Sequence, residues 1–314
     1  MASDRIQNTD MPEIHNIQGY GKPDFLVIGA ARSGTTWLYH RLKRQSNLFV
    51  PPVKEIHYFD IQRAYPVFHW IRLRRMLLHM RRYLEFFQNK EGVNRENAAW
   101  LLKWGARYFL LPRTHSWYSS LFEDEQSHIA GELTPAYATL TLQEVREVRS
   151  INPEMKIIYQ MRDPVARAWS QTVMNLGLHR RIGEYEQYKD EIRKVISSSE
   201  VLRRSDYLTT MDIWESVFER EQICYLFYDE ISDHPSVLLE KLLDFIGLKG
   251  VDEKVTDETV SKRVGQRDTG GRSIPADIER DMAKHFLPMV EELERRFDGG
   301  YPSQWRQRYE RLLE

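Results

Sequence analysis

Short unbroken apolar runs alternating with amphipathic stretches set the rhythm of this chain. Phe25–Ile28, His128–Leu133, Lys156–Met161 and Gln222–Tyr228 each read as a strand. Apolar runs of that length suit parallel strands covered on both faces. Helix-period patterns fall at Leu140–Ser150, Pro164 to about Gly177, Glu184–Ser197, Tyr207–Glu219, His234–Gly247 and roughly Ala276–Phe297. The alternation predicts an α/β fold, a single doubly wound domain over residues 24–314 with a mostly parallel central sheet flanked by helices. Asp60 to about Pro112 interrupts it. That stretch holds no strand signal and reads as helix over Val67–Phe87, so a helical insertion is expected at about 61–113. Residues 1–23, polar and ending in Gly19-Tyr-Gly-Lys-Pro23, are expected to form a loose leader, and Val264–Ile274 a mobile loop.

The first strand runs into the chain's most informative turn. In Asp24-Phe-Leu-Val-Ile-Gly-Ala-Ala-Arg-Ser-Gly-Thr-Thr-Trp37, Gly29 and Gly34 let the backbone bend before a helix that opens on Thr35 and Thr36. The first N–H groups of a helix lack partners inside it, so an oxyanion there meets both free donors and the positive end of the helix dipole. The Gly29-to-Gly34 spacing is that of a P-loop, which makes the fold P-loop-like. Thr35, however, occupies the place of the lysine that grips nucleoside triphosphates, and Arg32 is the cation within the turn. Two further segments add chemistry: Pro51-Pro-Val-Lys-Glu-Ile-His-Tyr-Phe-Asp60, and Arg162-Asp-Pro through Ser170 after the third strand. Arg162 is expected at the carboxyl edge of the sheet, where open α/β folds bind ligands, although a local ion pair would also account for it.

Taken in order along the chain, these segments resemble the sulfotransferases that use 3′-phosphoadenosine 5′-phosphosulfate (PAPS), in the carbohydrate-type and bacterial branches. Arg32-Ser-Gly-Thr-Thr-Trp37 is similar to the family's 5′-phosphosulfate loop, and Lys54-Glu-Ile-His-Tyr-Phe-Asp60 to its Glu-x-His-Phe-Phe-Asp segment. Gly131-Glu-Leu-Thr-Pro-Ala-Tyr137 resembles a further family segment, and Arg162 with Ser170 the pair that grips the 3′-phosphate. Gly270-Gly271-Arg272 is similar to a glycine-arginine loop that closes over the nucleotide. Two positions depart from the pattern: many relatives carry lysine where Arg32 stands, and often lysine where Gly270 stands. The resemblance implies transfer of a sulfuryl group from PAPS to a hydroxyl or amine acceptor, such as a carbohydrate or lipid, with adenosine 3′,5′-bisphosphate (PAP) released. It implies a donor site of Arg32, Ser33, Gly34, Thr35, Thr36, Trp37, Arg162, Ser170, Tyr207, Gly271 and Arg272. Arg32 would stabilise charge on the leaving oxygen, which an arginine does without giving up its proton.

On the acceptor side, the resemblance makes Glu55 the candidate base, with His57 as its competitor. A carboxylate works as a base when partly desolvated, and the neighbouring Lys54, turned inward, would oppose the rise of its pKa. His57 lies among aromatic neighbours that suit a packed histidine. Glu132 is expected either as a second acceptor-side carboxylate or as an orienter of Arg32 or His57. A nucleotide kinase and a non-catalytic nucleotide-binding module are the competing readings, the first disfavoured by the missing lysine.

Composition narrows the partners. A net charge of −1 over 314 residues gives no reason to invoke nucleic acid. A single cysteine, Cys224, rules out an intrachain disulfide, and no cluster has metal-ligand spacing, so no metal is expected. No stretch reaches the roughly 20 apolar residues of a membrane span, and no signal-peptide core opens the chain, so a cytoplasmic protein is expected. Residues 61–113 nonetheless carry eleven Lys and Arg against three Asp and Glu, interleaved with Trp70, Phe86, Phe87, Trp100 and Trp104. This bias reads as a solvated helix face or as a lid for an anionic or lipid-like acceptor, with peripheral membrane contact open.

Overall fold

A computed structural model describes residues 21–45, 47–60, 95–123, 129–178, 185–249 and 274–314. Residues 1–20 of the proposed leader, the 61–94 portion of the insertion and residues 264–273 of the expected mobile loop, Gly270–Arg272 included, lie outside these residues. The elements run β1 (Phe25–Gly29), α1 (Thr35–Leu42), β2 (Leu48–Phe49), α2 (Arg95–Leu110), α3 (His115–Ser120) and β3 (Ile129–Leu133). They continue with α4 (Leu142–Ile151), β4 (Lys156–Met161), α5 (Pro164–Asn175), α6 (Lys189–Ile196), α7 (Ser199–Arg203) and α8 (Tyr207–Glu215). The last are β5 (Ile223–Phe227), α9 (Glu230–Asp233), α10 (Pro235–Ile246), α11 (Ala276–Arg296) and α12 (Gly300–Leu313).

The five strands form one sheet in the order β2-β3-β1-β4-β5, with every pairing parallel. Alternate strand residues feed two cores, which is why each strand reads as a continuous apolar run. Leu26, Ile28, Ile157 and Tyr159 face the larger core with α4, α5, α8, α11 and α12. Phe25, Val27, Ile158 and Leu226 face a smaller one with α1 and α10. Cys224 belongs to this second core, and burial pushes its thiol up to about 11.

Local signals place the helix ends. Thr141 and Glu144 form a reciprocal capping box at the start of α4. Asp163 Oδ1 accepts from Ala166 N at 2.9 Å ahead of Pro164, which occupies the first turn of α5. Gly247 closes α10 in the left-handed region at φ 93°. Helix α12 carries apolar Trp305 and Tyr309 into the core, where Tyr309 donates to Asp163 Oδ1 at 3.0 Å.

Chain order explains where a ligand can sit. From β1 the chain moves outward to β2 and returns through β3 beside β1, then crosses to β4 on the other side. The direction of winding therefore changes at the carboxyl end of β1, the position where open α/β sheets form a ligand crevice.

Candidate active site

The turn after β1 is built tightly against its surroundings. Gly34 holds φ 85°, and a Cβ there would lie 2.5 Å from Ile231 Cδ1. Glycine alone meets both demands. No side chain caps α1 at Gly34, and Ser33 Oγ is fully buried with no hydrogen-bond partner among the described residues. Such a turn, with its hydroxyl and helix-end N–H groups, suits a tetrahedral anion. Trp37 is packed in the smaller core, with the Arg41 guanidinium 5.5 Å from its ring.

Arg32 sits at φ 73°, a backbone region costly for a side-chain-bearing residue. Contacts to α5 and to Arg162 hold it, among them Arg32 Nη1 to Met174 Sδ at 3.6 Å. Arg162 Nη1 donates to the Arg32 carbonyl at 3.0 Å, and Arg32 Nε donates to Ser170 Oγ at 3.0 Å. Arg162 itself lies 4.4 Å above the Tyr228 ring, a cation–π arrangement, while Tyr207 donates its hydroxyl to the Arg162 carbonyl at 2.7 Å. Burial pushes the Tyr207 hydroxyl up to about 12, so it stays a donor at neutral pH. The structure thus brings Arg32, Arg162, Ser170 and Tyr207 together at the sheet's carboxyl edge.

Arg167, on the same helix as Ser170, went unassigned from sequence. It is fully buried and donates to Ser205 Oγ at 2.6 Å, Gln171 Oε1 at 2.7 Å, the Val201 carbonyl at 2.8 Å and the Ala31 carbonyl at 3.4 Å. Burial lowers its pKa to about 10, which leaves it charged at neutral pH. It ties the turn to α5 and α7. Its place five residues after Arg162, in the first half of α5, was visible in the sequence, but its partners were not.

The second cluster lies on the segment after β2. Lys54 Nζ donates to Thr36 Oγ1 at 2.9 Å and stands 3.2 Å from Glu55 Oε1. His57 Nε2 is 3.4 Å from Glu55 Oε2, and its Nδ1 is 2.7 Å from Asp60 Oδ2. Glu55 and His57 both occupy the left-handed region, at φ 64° and 55°. Burial alone would raise the Glu55 carboxyl, but the His57 hydrogen bond and the Lys54 and His57 charges outweigh it and hold it near about 2. Lys54 therefore does turn inward, onto both the carboxylate and the head of α1.

Glu132, on β3, is almost fully buried beneath this segment. Its oxygens accept from Tyr118 at 2.6 Å, Thr134 at 2.7 Å, Tyr137 at 3.0 Å and the Ile56 backbone N–H at 3.3 Å. The Tyr137 hydroxyl in turn accepts from Tyr58 N at 2.8 Å. Burial raises the Glu132 carboxyl pKa, opposed by the hydroxyl donors. Gly271 and Arg272 fall outside the described residues. Among the described residues no group of His, Cys, Asp or Glu is arranged to hold a metal ion, and no helix is long and apolar enough to cross a membrane.

A sulfotransferase family model matches residues 23–253, from the start of β1 past the end of α10. The chain belongs to the sulfotransferase family. Rat carbohydrate sulfotransferase 15 is 23% identical over 266 residues, covering 74% of this chain and 45% of that protein. Human heparan sulfate glucosamine 3-O-sulfotransferase 6 is 25% identical over 146 residues, covering 46% of this chain and 42% of its own. The chain spans less than half the length of these curated relatives. A crystal structure of a sulfotransferase from Alicyclobacillus acidocaldarius superposes with a TM-score of 0.59 at 20% identity, over 91% of this chain and 99% of that one. The expected P-loop-like α/β architecture is therefore the observed one.

Proposed function

We propose that this sulfotransferase moves a sulfuryl group from PAPS to a hydroxyl or amine acceptor by in-line displacement. The observation that carries the reading is the pairing of Arg162 and Ser170 with Arg32, which sets two anion-binding groups side by side. Ser33, Gly34, Thr35 and Thr36 at the head of α1 receive the 5′-phosphosulfate, while Arg162 and Ser170 receive the 3′-phosphate. Tyr207 fixes Arg162 from behind. Arg32 turns from Ser170 toward the leaving oxygen, where negative charge develops as the sulfur–oxygen bond breaks.

Glu55 accepts the acceptor's proton. His57 lies between two carboxylates, and its ring satisfies both only with a proton on each nitrogen, which leaves it an orienting donor. Glu132 has its oxygens committed to four donors, so it acts by holding the Ile56 backbone, and with it Glu55, in place. The acceptor class is a carbohydrate hydroxyl or amine. Support comes from the relatives that are carbohydrate and heparan sulfate glucosamine sulfotransferases, and from a base set in a polar cluster.

Calorimetry comparing PAP with AMP tests the donor half. A preference for PAP of at least about 100-fold is expected from a two-residue 3′-phosphate grip; equal affinity refutes it. Transfer of labelled sulfate from PAPS to carbohydrate, lipid and phenol pools, read by mass, tests the acceptor half. Label appearing only on phenols or lipids refutes the carbohydrate assignment.

A further inference from the structure

The turn between β1 and α1 lacks a lysine, yet an ammonium stands at its mouth. Lys54 reaches in from the segment after β2, and its Nζ touches a hydroxyl at the head of α1 on one side and the Glu55 carboxylate on the other. Its side chain is only 17% exposed, and its partner Glu55 holds left-handed backbone geometry. A half-desolvated ammonium shared between a neutral hydroxyl and a carboxylate is exchangeable in a defined direction: a sulfonate seated at the helix terminus offers further anionic oxygens to the same three N–H donors.

Building on the PAPS reading above, we propose that Lys54 is the cation that meets the transferring sulfonate, and that donor binding draws its ammonium off Glu55, freeing that carboxylate to act as base. In the donor-free protein the pair is closed and Glu55 is a weak base, held down by Lys54 and by His57, which Asp60 backs. With the sulfonate in place Lys54 contacts its non-bridging oxygens and Glu55 keeps only His57. The acceptor oxygen then forms its bond to sulfur as the sulfur–oxygen bond to the 5′-phosphate breaks. The acceptor's proton passes to Glu55, and the electron pair of the broken bond leaves on the phosphate oxygen of PAP. One side chain thereby couples occupancy of the donor site to the readiness of the base, so that the base strengthens only once the donor is present.

The experiment is equilibrium binding of PAP and of PAPS, with turnover, for the wild type, Lys54→Gln, Lys54→Arg, Glu55→Gln and the Lys54→Gln/Glu55→Gln double variant. PAP lacks the sulfonate, so Lys54→Gln is expected to bind it within about twofold of wild type while losing about tenfold in PAPS affinity and about 100-fold in kcat. Lys54→Arg retains the preference for PAPS over PAP. Glu55→Gln, which leaves Lys54 uncontested, binds PAPS several-fold tighter with PAP unchanged. In the Lys54→Gln background that tightening disappears; simple repulsion between Glu55 and the sulfonate would preserve it. Equal losses for PAP and PAPS, or unchanged kcat, in Lys54→Gln overturn the proposal while the donor reading stands. A wild type that binds neither nucleotide overturns both.

Discussion

Arg32 and Ser170, separated by 138 positions in sequence, meet through a 3.0 Å hydrogen bond from Nε to Oγ. The contact joins the turn after β1 to the second half of α5, and Arg162 closes the same link through the Arg32 carbonyl. Charge-assisted hydrogen bonds to a phosphate are worth about 1.5–3 kcal/mol each. Ser170→Ala is therefore expected to lower PAP affinity about tenfold and Arg162→Ala about 100-fold, with AMP affinity changing far less in both. Calorimetric titration of each variant with both nucleotides decides it, and parallel losses for AMP would remove Ser170 from the 3′-phosphate site.

Glu55→Gln is expected to cut kcat by about 10²–10⁴ while PAP affinity is retained, the signature of a lost proton acceptor. Turnover at the parental rate would move the base elsewhere.

The same carboxylate gives a pH-dependent contribution to stability. Its folded pKa, near about 2, lies below its ordinary value of 4.5. Its stabilising share is thus complete above about pH 4.5 and vanishes as pH falls through about 2. With the side chain 31% exposed, that share is about 1 kcal/mol at most. The Tm gap between wild type and Glu55→Gln should be widest above pH 5 and shrink steadily on acidification. A gap that grows on acidification contradicts the ion-pair assignment.

Glu132→Ala removes the acceptor shared by Tyr118, Thr134, Tyr137 and the Ile56 N–H. Orphaning buried hydroxyls costs about 1–3 kcal/mol apiece before relaxation, so a loss of about 3 kcal/mol overall is expected by urea denaturation. The remaining folded protein should show a larger drop in kcat than in PAP affinity, because the segment carrying Glu55 loses its anchor. If kcat per folded molecule is unchanged, Glu132 has no part in positioning the base.

Gly34→Ala meets two penalties at once. Left-handed backbone costs a non-glycine residue about 1–2 kcal/mol, and the new Cβ would be 2.5 Å from Ile231 Cδ1. A falling Tm with weakened PAP binding is the expected outcome. Adding Ile231→Val should recover part of the Tm by opening space, leaving the backbone share in place. No recovery would mean that crowding against Ile231 is not the cause.

Strands β1, β3, β4 and β5 were legible in sequence because each is buried on both faces, so their residues are apolar regardless of which neighbour covers them. Helices α4, α5, α10 and α11 were legible from period and caps. Strand β2, only Leu48–Phe49, and the short helix α3 escaped, being too brief to show a period; β2 exists because β3 pairs with it. Helix α12 escaped as well, since its few core residues, Pro302, Trp305 and Tyr309, are diluted among charged ones. At the site, glycine spacing and the Arg162–Ser170 interval were readable because neighbouring residues on a turn or helix keep a local geometry wherever they go.

Sequence by itself therefore determined the chemistry available: an anion-accepting turn, an arginine at a strand's end with a serine on the helix that follows, and a Lys-Glu-x-His segment, together with the order of apolar runs that makes a wound sheet. Tertiary structure alone decided which of these groups touch. The hold of Arg162 on the Arg32 carbonyl, the four donors converging on Glu132 and the bridge of Lys54 between Thr36 and Glu55 each span separate elements. Such contacts are set by how β1, β3 and β4 are ordered across the sheet, a property of packing that no local stretch of residues encodes.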